Sequence, residues 1–209
     1  MGAEYLRVAG KNVDRLAALS DGVFAFAMTL LVLDLRVPPV EHVHSEGDLL
    51  GALAALGPRA VTVVLSFLTL GIFWVGQQAQ LNLLERTDQR LTWIHLAFLL
   101  AVTAVPFSTA LLGTFIGYRT ALITYWLVIL LLGLVLLAAW TYTEHAGLVK
   151  DEVEPSVRQA VRRRIVLAQA LYAVGAALCV PGTAWSITFI YLLQLNYALA
   201  PRIRPLSRL

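Results

Sequence analysis

The stretch RLAALSDGVFAFAMTLLVLDL, residues 15–35, decides the fold because it is apolar enough to cross a bilayer and yet retains Asp21 and Asp34. A helix needs about 20 predominantly apolar residues to cross the hydrocarbon, and this run has that length. An ionisable side chain within such a helix is costly in lipid and normally faces other helices or a water-filled path. The stretch therefore predicts a membrane helix whose Asp21 is held by polar partners from neighbouring helices.

The composition extends this prediction to the whole chain. Of 209 residues, 59% are hydrophobic and 14% are charged, and the mean hydropathy is +0.75. An ordinary soluble domain has about 25% charged residues, so this chain has too few to cover a soluble surface. We therefore predict an integral membrane protein in contact with lipid. The sequence has no basic run interleaved with aromatic residues, and this pattern gives no reason to expect a nucleic-acid partner.

Long uncharged runs predict the number of membrane helices. The run 165–200 is too long for a single crossing, and Pro181-Gly182 divides it because proline cannot donate to a helix and glycine permits a turn. None of the runs alternates as the strands of a membrane barrel would. The sequence therefore predicts one all-α membrane domain over residues 1–209, with six transmembrane helices at about 16–35, 60–84, 91–114, 120–143, 161–180 and 183–200.

The basic residues predict the orientation. All 16 Lys and Arg residues except Arg36, Arg59 and Arg119 fall in the termini and in the loops on one side of the predicted membrane. Cytoplasmic loops carry an excess of Lys and Arg, so both termini are predicted to be cytoplasmic, in a multi-pass protein of the cell membrane. The even number of predicted helices also requires both termini to lie on one side.

The segment 39–50 on the opposite side contains His42 and His44 among acidic residues. Two histidines with nearby carboxylates could bind a metal ion or respond to pH. No second cluster completes a ligand set, so we predict a solvated loop and no metal site.

Asp21 has five candidate partners in the second and third predicted helices, which are Trp74, Gln77, Gln78, Trp93 and His95. Polar side chains between membrane helices can fix a functional helix in place or simply hold a bundle together. The residues alone leave both interpretations open for the Ser20-Asp21 pair.

A helical wheel separates the first helix into two faces. Ser20 and Asp21 point away from a stripe made of Leu19, Gly22, Val23, Phe26, Thr29, Leu30 and Leu33. Arg15 lies at the cytoplasmic end of the stripe. There it could set the electrostatic potential at the inner opening of a pore, pair with an acidic group or contact lipid headgroups. The wheel does not distinguish a pore-lining face from a packing face.

Three segments resemble the transmembrane protein 175 family of potassium channels. The pattern Arg15-x-x-x-Leu19-Ser20-Asp21 resembles the signature of the family's first helix, and Phe73-Trp74 resembles an aromatic–Trp pair. The run 91–96 (LTWIHL), followed by 106–113 (PFSTALLG), is similar to the third helix. The resemblance covers residues 12–114. It departs from the family at Leu19, where Phe is usual, at Gln77-Gln78, where a His pair is frequent, and at His95, where Asn is usual.

The resemblance implies a homotetramer in which the first helix of each subunit lines one central pore for potassium ions, with no cofactor. By motif position it implies an apolar constriction at Phe26, Leu30 and Leu33 and a selectivity layer at Thr29, near which potassium would pass. It also implies a network that anchors the helix, formed by Arg15, Ser20, Asp21, Trp74, Gln77, Trp93 and His95. A ring of apolar side chains can gate by dewetting. Since Phe26 is larger than the aliphatic residues often found there, we predict a narrower resting constriction. The resemblance also leads us to expect a channel of the leak type.

Two other classes remain as alternatives. A secondary ion transporter would show inverted repeats, but Ser20-Asp21 has no counterpart in the second half of the chain. A purely structural membrane protein would explain Asp21 as a packing contact. An enzyme is not predicted, because the chain has no helix-borne His-Glu-x-x-His, no Gly-x-Ser-x-Gly and no phosphate-binding glycine loop.

Overall fold

A computed structural model describes residues 12–199, and every regular element in that range is a helix. Arg7, Lys11 and the basic residues of the tail, on which part of the predicted orientation rests, lie outside it. The elements are α1 (Val13–Leu31), continued by a 3₁₀ turn (Val32–Asp34), then a 3₁₀ turn (Val40–His42), α2 (Glu46–Ala55), α3 (Gly57–Asn82), α4 (Gln89–Thr103), α5 (Val105–Thr114), α6 (Arg119–His145), α7 (Pro155–Ala177) and α8 (Thr183–Leu199).

Helix α1 begins where a side chain replaces the missing backbone partners of its first turn. The Asn12 side chain accepts hydrogen bonds from the backbone N–H groups of Asp14 (2.8 Å) and Arg15 (3.2 Å). Asn is one of the preferred N-cap residues for this reason. Asp14 in the first turn also complements the positive end of the helix dipole. The start of the helix is therefore determined locally.

The third predicted helix, 91–114, is divided in the structure. Helix α4 ends at Thr103, Ala104 intervenes, and α5 begins at Val105 with Pro106 in its first turn. Proline has no N–H to donate to the carbonyl four residues earlier, so it interrupts the hydrogen-bond ladder of a continuous helix. Together the two pieces still form one apolar segment, Gln89–Thr114, that is long enough to cross a membrane.

The segment predicted as a solvated loop contains helical structure. The Ser45 hydroxyl accepts from the Asp48 N–H at 3.2 Å, and the Asp48 carboxylate accepts from the His44 N–H at 3.1 Å. This reciprocal arrangement resembles a capping box and starts α2. The loop prediction was therefore wrong from residue 46 onward. His42 and His44 are exposed, and within residues 12–199 no group of three or more potential ligands could hold a metal ion.

The helices pack into one bundle. Helix α1 contacts α3, α4 and α5, helix α6 contacts α4, α5 and α7, and α8 contacts α3 and α7. Phe24 of α1 lies 6.0 Å from Phe98 of α4, measured between ring centroids, and Phe73 of α3 lies 6.4 Å from the same ring. This aromatic contact fixes α1 against the bundle on one side only.

Four helical segments are long and apolar enough to cross a membrane, within the part of the chain that the structure describes. They are Val13–Asp34, Gly57–Asn82, Gln89–Thr114 and Arg119–His145. The two remaining predicted membrane helices correspond to α7, whose N-terminal half carries Arg158 and 162–164, and to α8, which has 17 residues. Pro181 and Gly182 lie between them, at the predicted break.

Candidate functional site

One face of α1 is buried in the bundle. Five residues at a spacing of three or four form it, and all are inaccessible or nearly so: Leu16, Ser20, Phe24, Ala27 and Leu31. This spacing is typical of the buried stripe of an amphipathic helix. The bundle therefore determines the rotation of α1 about its axis.

The opposite face of α1 is not covered by the bundle. Phe26 is 64% exposed, and Leu19 and Thr29 are also exposed. Leu33, which lies in the 3₁₀ turn that continues the helix, is 67% exposed. Val23 and Leu30 are half-buried at its edges. In a membrane protein an uncovered face contacts lipid, another subunit or an aqueous path. The stripe identified from the sequence thus coincides with the face that the single chain leaves free.

Behind this face, Ser20 is part of a buried polar contact with α3 and α4. The Gln77 amide nitrogen donates to the Ser20 hydroxyl at 3.1 Å and lies 3.2 Å from Nδ1 of His95. The Ser20 hydroxyl in turn donates to the Leu16 carbonyl at 2.9 Å. All three polar side chains are at most 1% exposed. The contact ties α1, α3 and α4 together at one level of the bundle.

Asp21 binds a different pair of donors. The indole N–H of Trp74 and the amide nitrogen of Gln78 both donate to its Oδ1 atom, at 2.7 and 2.6 Å. Asp21 is exposed in the single chain, so these contacts lie at the rim of the bundle. Ser20 and Asp21 together fix α1 against two successive turns of α3.

Gln78 was predicted as a candidate partner of Asp21 but was absent from the anchoring network that the resemblance implied, and it does bind Asp21. Trp93 and Arg15, which that network included, make neither contact. Gln77 contacts Ser20, and the amide that reaches Asp21 is that of Gln78. The Trp93 side chain is 65% exposed and lies outside both contacts. Arg15 is exposed in the first turn of α1, where its backbone N–H is bound by Asn12.

The Thr29 hydroxyl donates to the carbonyl of Phe26 at 2.8 Å. A hydroxyl that gives its hydrogen to the backbone keeps oxygen lone pairs that can still accept a hydrogen bond or coordinate a cation. Thr29 therefore presents an oxygen on the uncovered face of an otherwise apolar helix.

A second buried polar cluster, which sequence reasoning missed, lies deeper in the bundle. The hydroxyl of Tyr125 is 3.2 Å from that of Ser66 and 3.0 Å from that of Thr69, and Thr109 donates to Ser66 at 2.7 Å. The Gln194 amide also donates to Thr69. The available signal was the i, i+3 spacing of Ser66 and Thr69 in an apolar helix, since hydroxyls between membrane helices frequently bond across the interface.

The bundle of apolar helices with internal polar contacts defines a multi-pass α-helical membrane protein. Residues 15–106 match the family described as "Endosomal/lysosomal potassium channel TMEM175". A potassium channel of Streptomyces collinus is 33% identical over 188 residues, which are 88% of this chain and 90% of that protein. A potassium channel of Chamaesiphon minutus is 31% identical over 189 residues, and the match covers 88% of this chain and 93% of that protein. The chain belongs to the TMEM175 family of ion channels.

The fold agrees with that of a solved relative. The crystal structure of a lysosomal potassium-selective channel TMEM175 homolog from Chamaesiphon minutus superimposes with a TM-score of 0.77 at 29% identity, covering 90% of this chain and 96% of that one. The human relative, named an endosomal/lysosomal proton channel, is 24% identical over 196 residues, and this chain spans 38% of it.

Proposed function

We propose that this protein is a leak-type, potassium-selective cation channel in which four identical subunits surround one pore lined by α1. The observation that carries the proposal is the uncovered face of α1 bearing Phe26 and Thr29, continued by Leu33 in the following 3₁₀ turn, with the opposite side anchored by Ser20. A pore-lining helix needs this combination of a free face and a fixed rotation. The potassium channels of Streptomyces collinus and Chamaesiphon minutus support the choice of ion.

In this proposal Phe26, Leu30 and Leu33 form successive apolar rings around the axis. Such rings exclude water when they are narrow, and they set the resting conductance. The bulk of the Phe26 ring makes its layer the narrowest. The oxygen of Thr29 lies between Phe26 and Leu30 in the helix and replaces part of the hydration shell of a passing ion. Potassium gives up its hydration shell more readily than sodium, so this layer favours potassium.

The proposed subunit has six transmembrane helices, with α7 and α8 as the fifth and sixth, and lies in the cell membrane with both termini in the cytoplasm. Helix α8 has 17 residues and is about 26 Å long at 1.5 Å per residue, which is close to the hydrocarbon thickness. The arginines 162–164 near the start of α7 then lie at the level of anionic headgroups.

Ion flux through purified protein in liposomes tests the proposal. We expect non-saturating flux that favours potassium over sodium, and the proton flux is measured alongside. Phe26→Ala should raise the potassium flux several-fold because it widens the constriction. Thr29→Ala should reduce the preference for potassium because it removes the oxygen layer.

Matched controls are available on other helices. Phe107 is 67% exposed, close to Phe26, so Phe107→Ala removes the same side chain from a surface outside α1. Thr103 is exposed and its hydroxyl donates to the Leu100 carbonyl at 2.7 Å, as that of Thr29 does to Phe26. Neither control should alter flux or selectivity. The proposal would be contradicted if no ions moved, or if the flux were saturable and coupled to a second ion. It would also be contradicted if the control variants changed flux or selectivity as much as the variants at Phe26 and Thr29.

A further inference from the structure

The C-terminal end of α1 is attached to the bundle differently from the part that carries Ser20 and Asp21. Those two side chains are held by hydrogen bonds to α3, whereas the 3₁₀ turn Val32–Asp34 contains no buried residue. The turn contacts α3, and Asp34 is its half-buried member. The position of the turn therefore depends on how the Asp34 side chain packs against the bundle.

The Asp34 carboxylate lies in a notch between α3 and α5. A Cβ atom at Gly113 of α5 would lie 3.1 Å from Oδ2 of Asp34. The same atom would lie 2.8 Å from the hydroxyl oxygen of Thr62 and 3.3 Å from Cγ of Arg59, both on α3. An added methyl group in so close a contact forces its neighbours to shift. The absence of a side chain at Gly113 therefore creates this notch, which we call the Gly113 notch.

The Gly113 notch offers the carboxylate no hydrogen bond. Oδ2 of Asp34 is buried, and no group within residues 12–199 donates to it. The Thr62 hydroxyl gives its hydrogen to the Arg59 carbonyl at 2.9 Å, so it has only lone pairs left for other partners. A negative charge at the C-terminal end of a helix also opposes the helix dipole. Asp34 therefore occupies the notch at a cost in stability.

Sequences depart from the most stable choice mainly at functional or strained sites, and the neighbour of Asp34 is such a site in the proposed channel. Leu33 is 67% exposed and belongs to the proposed constriction. Thr62 and Gly113 are buried in helices that pack on each other, whereas the 3₁₀ turn is not buried. If the notch were filled, the turn would yield first and would move away from α3 and α5, toward the uncovered face.

We propose that Asp34 and Gly113 are positioning residues that set how far Leu33 extends from the bundle into the pore. This inference rests on the proposed function, since Leu33 lines a pore only if α1 surrounds the axis. Filling the notch drives the turn toward the axis and narrows the pore at Leu33. A hydrogen bond from position 34 to Thr62 has the opposite effect, because it holds the turn against α3.

Disulfide formation between subunits measures the position of residue 33. Leu33→Cys is combined with Cys179→Ser in the full chain in liposomes, and the rate of dimer formation under mild oxidation is followed on non-reducing gels. Gly113→Ala should raise this rate at least about threefold, because disulfides form when Cα atoms approach within about 7 Å. Gly117→Ala should leave the rate unchanged, since a Cβ atom there meets nothing within 4 Å. An unchanged or slower rate in Gly113→Ala would overturn the proposal.

Potassium flux through protein that retains Leu33 provides a second readout. Gly113→Ala should lower the flux several-fold, because it narrows an apolar constriction. Thr62→Ala removes the atom that the new methyl group would meet at 2.8 Å, so the double variant should recover both the flux and the rate of disulfide formation. A general defect of α5 would not be repaired in this way. Lack of recovery in a folded double variant would count against the notch.

Asp34→Asn tests the proposal independently if Gly113→Ala does not fold. The amide has the shape of the carboxylate, can donate to the Thr62 hydroxyl and carries no charge. We expect a higher free energy of unfolding and disulfide formation at position 33 that is about threefold slower. Glu41→Gln makes a similar change at an exposed site and should have neither effect. A less stable Asp34→Asn, or one with an unchanged rate, would contradict the proposal.

The parent protein, with Leu33→Cys and Cys179→Ser alone, separates this inference from the proposed function. If the parent forms no dimers, α1 does not surround an axis, and the proposed function fails together with this inference. If the parent forms dimers and the variants at Gly113 and Asp34 do not change their rate, only the positioning role is wrong.

Discussion

At the scale of single residues, the hydrogen bond between Ser20 and Gln77 is a fully buried link between α1 and α3. Its strength can be measured with a double-mutant cycle of Ser20→Ala and Gln77→Leu. Hydrogen bonds between membrane helices contribute about 0.6 kcal/mol on average and reach about 1–2 kcal/mol. We expect a coupling free energy of about 0.5–2 kcal/mol in equilibrium unfolding in micelles, because both atoms are fully buried.

Ser108 provides the control for this cycle. It is also fully buried, but its hydroxyl donates to the Val105 carbonyl of its own helix at 2.9 Å. Ser108→Ala combined with Gln77→Leu should therefore show coupling near zero. Equal coupling in the two cycles would mean that the Ser20 hydroxyl does not anchor α1 through Gln77.

At the scale of elements, one carboxylate joins the start of α4 to the end of α6. Oδ1 of Asp88 accepts from the Leu91 N–H at 2.8 Å and caps α4, while Oδ2 accepts from the Tyr142 hydroxyl at 2.5 Å. Asp88→Ala removes both bonds, and the loss of an N-cap costs about 0.5–2 kcal/mol. Asp88→Asn retains the capping oxygen and should therefore be less destabilised than Asp88→Ala. The free energy of unfolding of the two variants measures this difference.

Two further variants separate the contribution of the α4 cap to the free energy of unfolding from that of the bond to α6. Tyr142→Phe removes only the link to α6 and should lower the free energy of unfolding less than Asp88→Ala does. Asp151→Ala changes an exposed aspartate in the turn before α7 and should have little effect. If Asp88→Asn were as unstable as Asp88→Ala, the cap would not be what holds the start of α4.

At the scale of the whole molecule, the uncovered face of α1 predicts where identical subunits meet. In a tetramer with α1 around the axis, a cysteine at position 33 approaches its equivalents in other subunits. Leu33→Cys should therefore form disulfide-linked dimers under mild oxidation, seen on non-reducing gels. The native Cys179 is 7% exposed and is replaced by serine in the test.

Leu192 on α8 is the matched control for this experiment, since its exposure of 61% is close to the 67% of Leu33. Leu192→Cys should remain monomeric on the same gel because α8 lies away from the proposed axis. If Leu192→Cys formed disulfide-linked dimers and Leu33→Cys did not, the subunit contact would lie on α8. That result would remove the basis for a pore along α1.

Local sequence signals were sufficient for the main features of the fold. The apolar runs predicted an all-helical membrane protein because span length and hydropathy are properties of neighbouring residues. The helical wheel separated the stripe of Phe26 and Leu33 from Ser20 because residues 3.6 apart share a face in any helix. The signal of Ser45 before α2 was overlooked, so the loop prediction was wrong there. Pro106 adds a break within the third predicted segment, which stays one apolar segment over Gln89–Thr114.

The sequence by itself determined that the first helix is long and apolar enough to cross a membrane and that it has two distinct faces. Only the tertiary structure decided which polar partners meet across helices. Gln77 and Gln78 are adjacent, and a one-residue step turns a helix by about 100°, so one amide reaches Ser20 and the other reaches Asp21. The rotation of α3 that makes this assignment is set by packing of side chains distant in sequence, such as Phe24, Phe73 and Phe98, and no local pattern contains it.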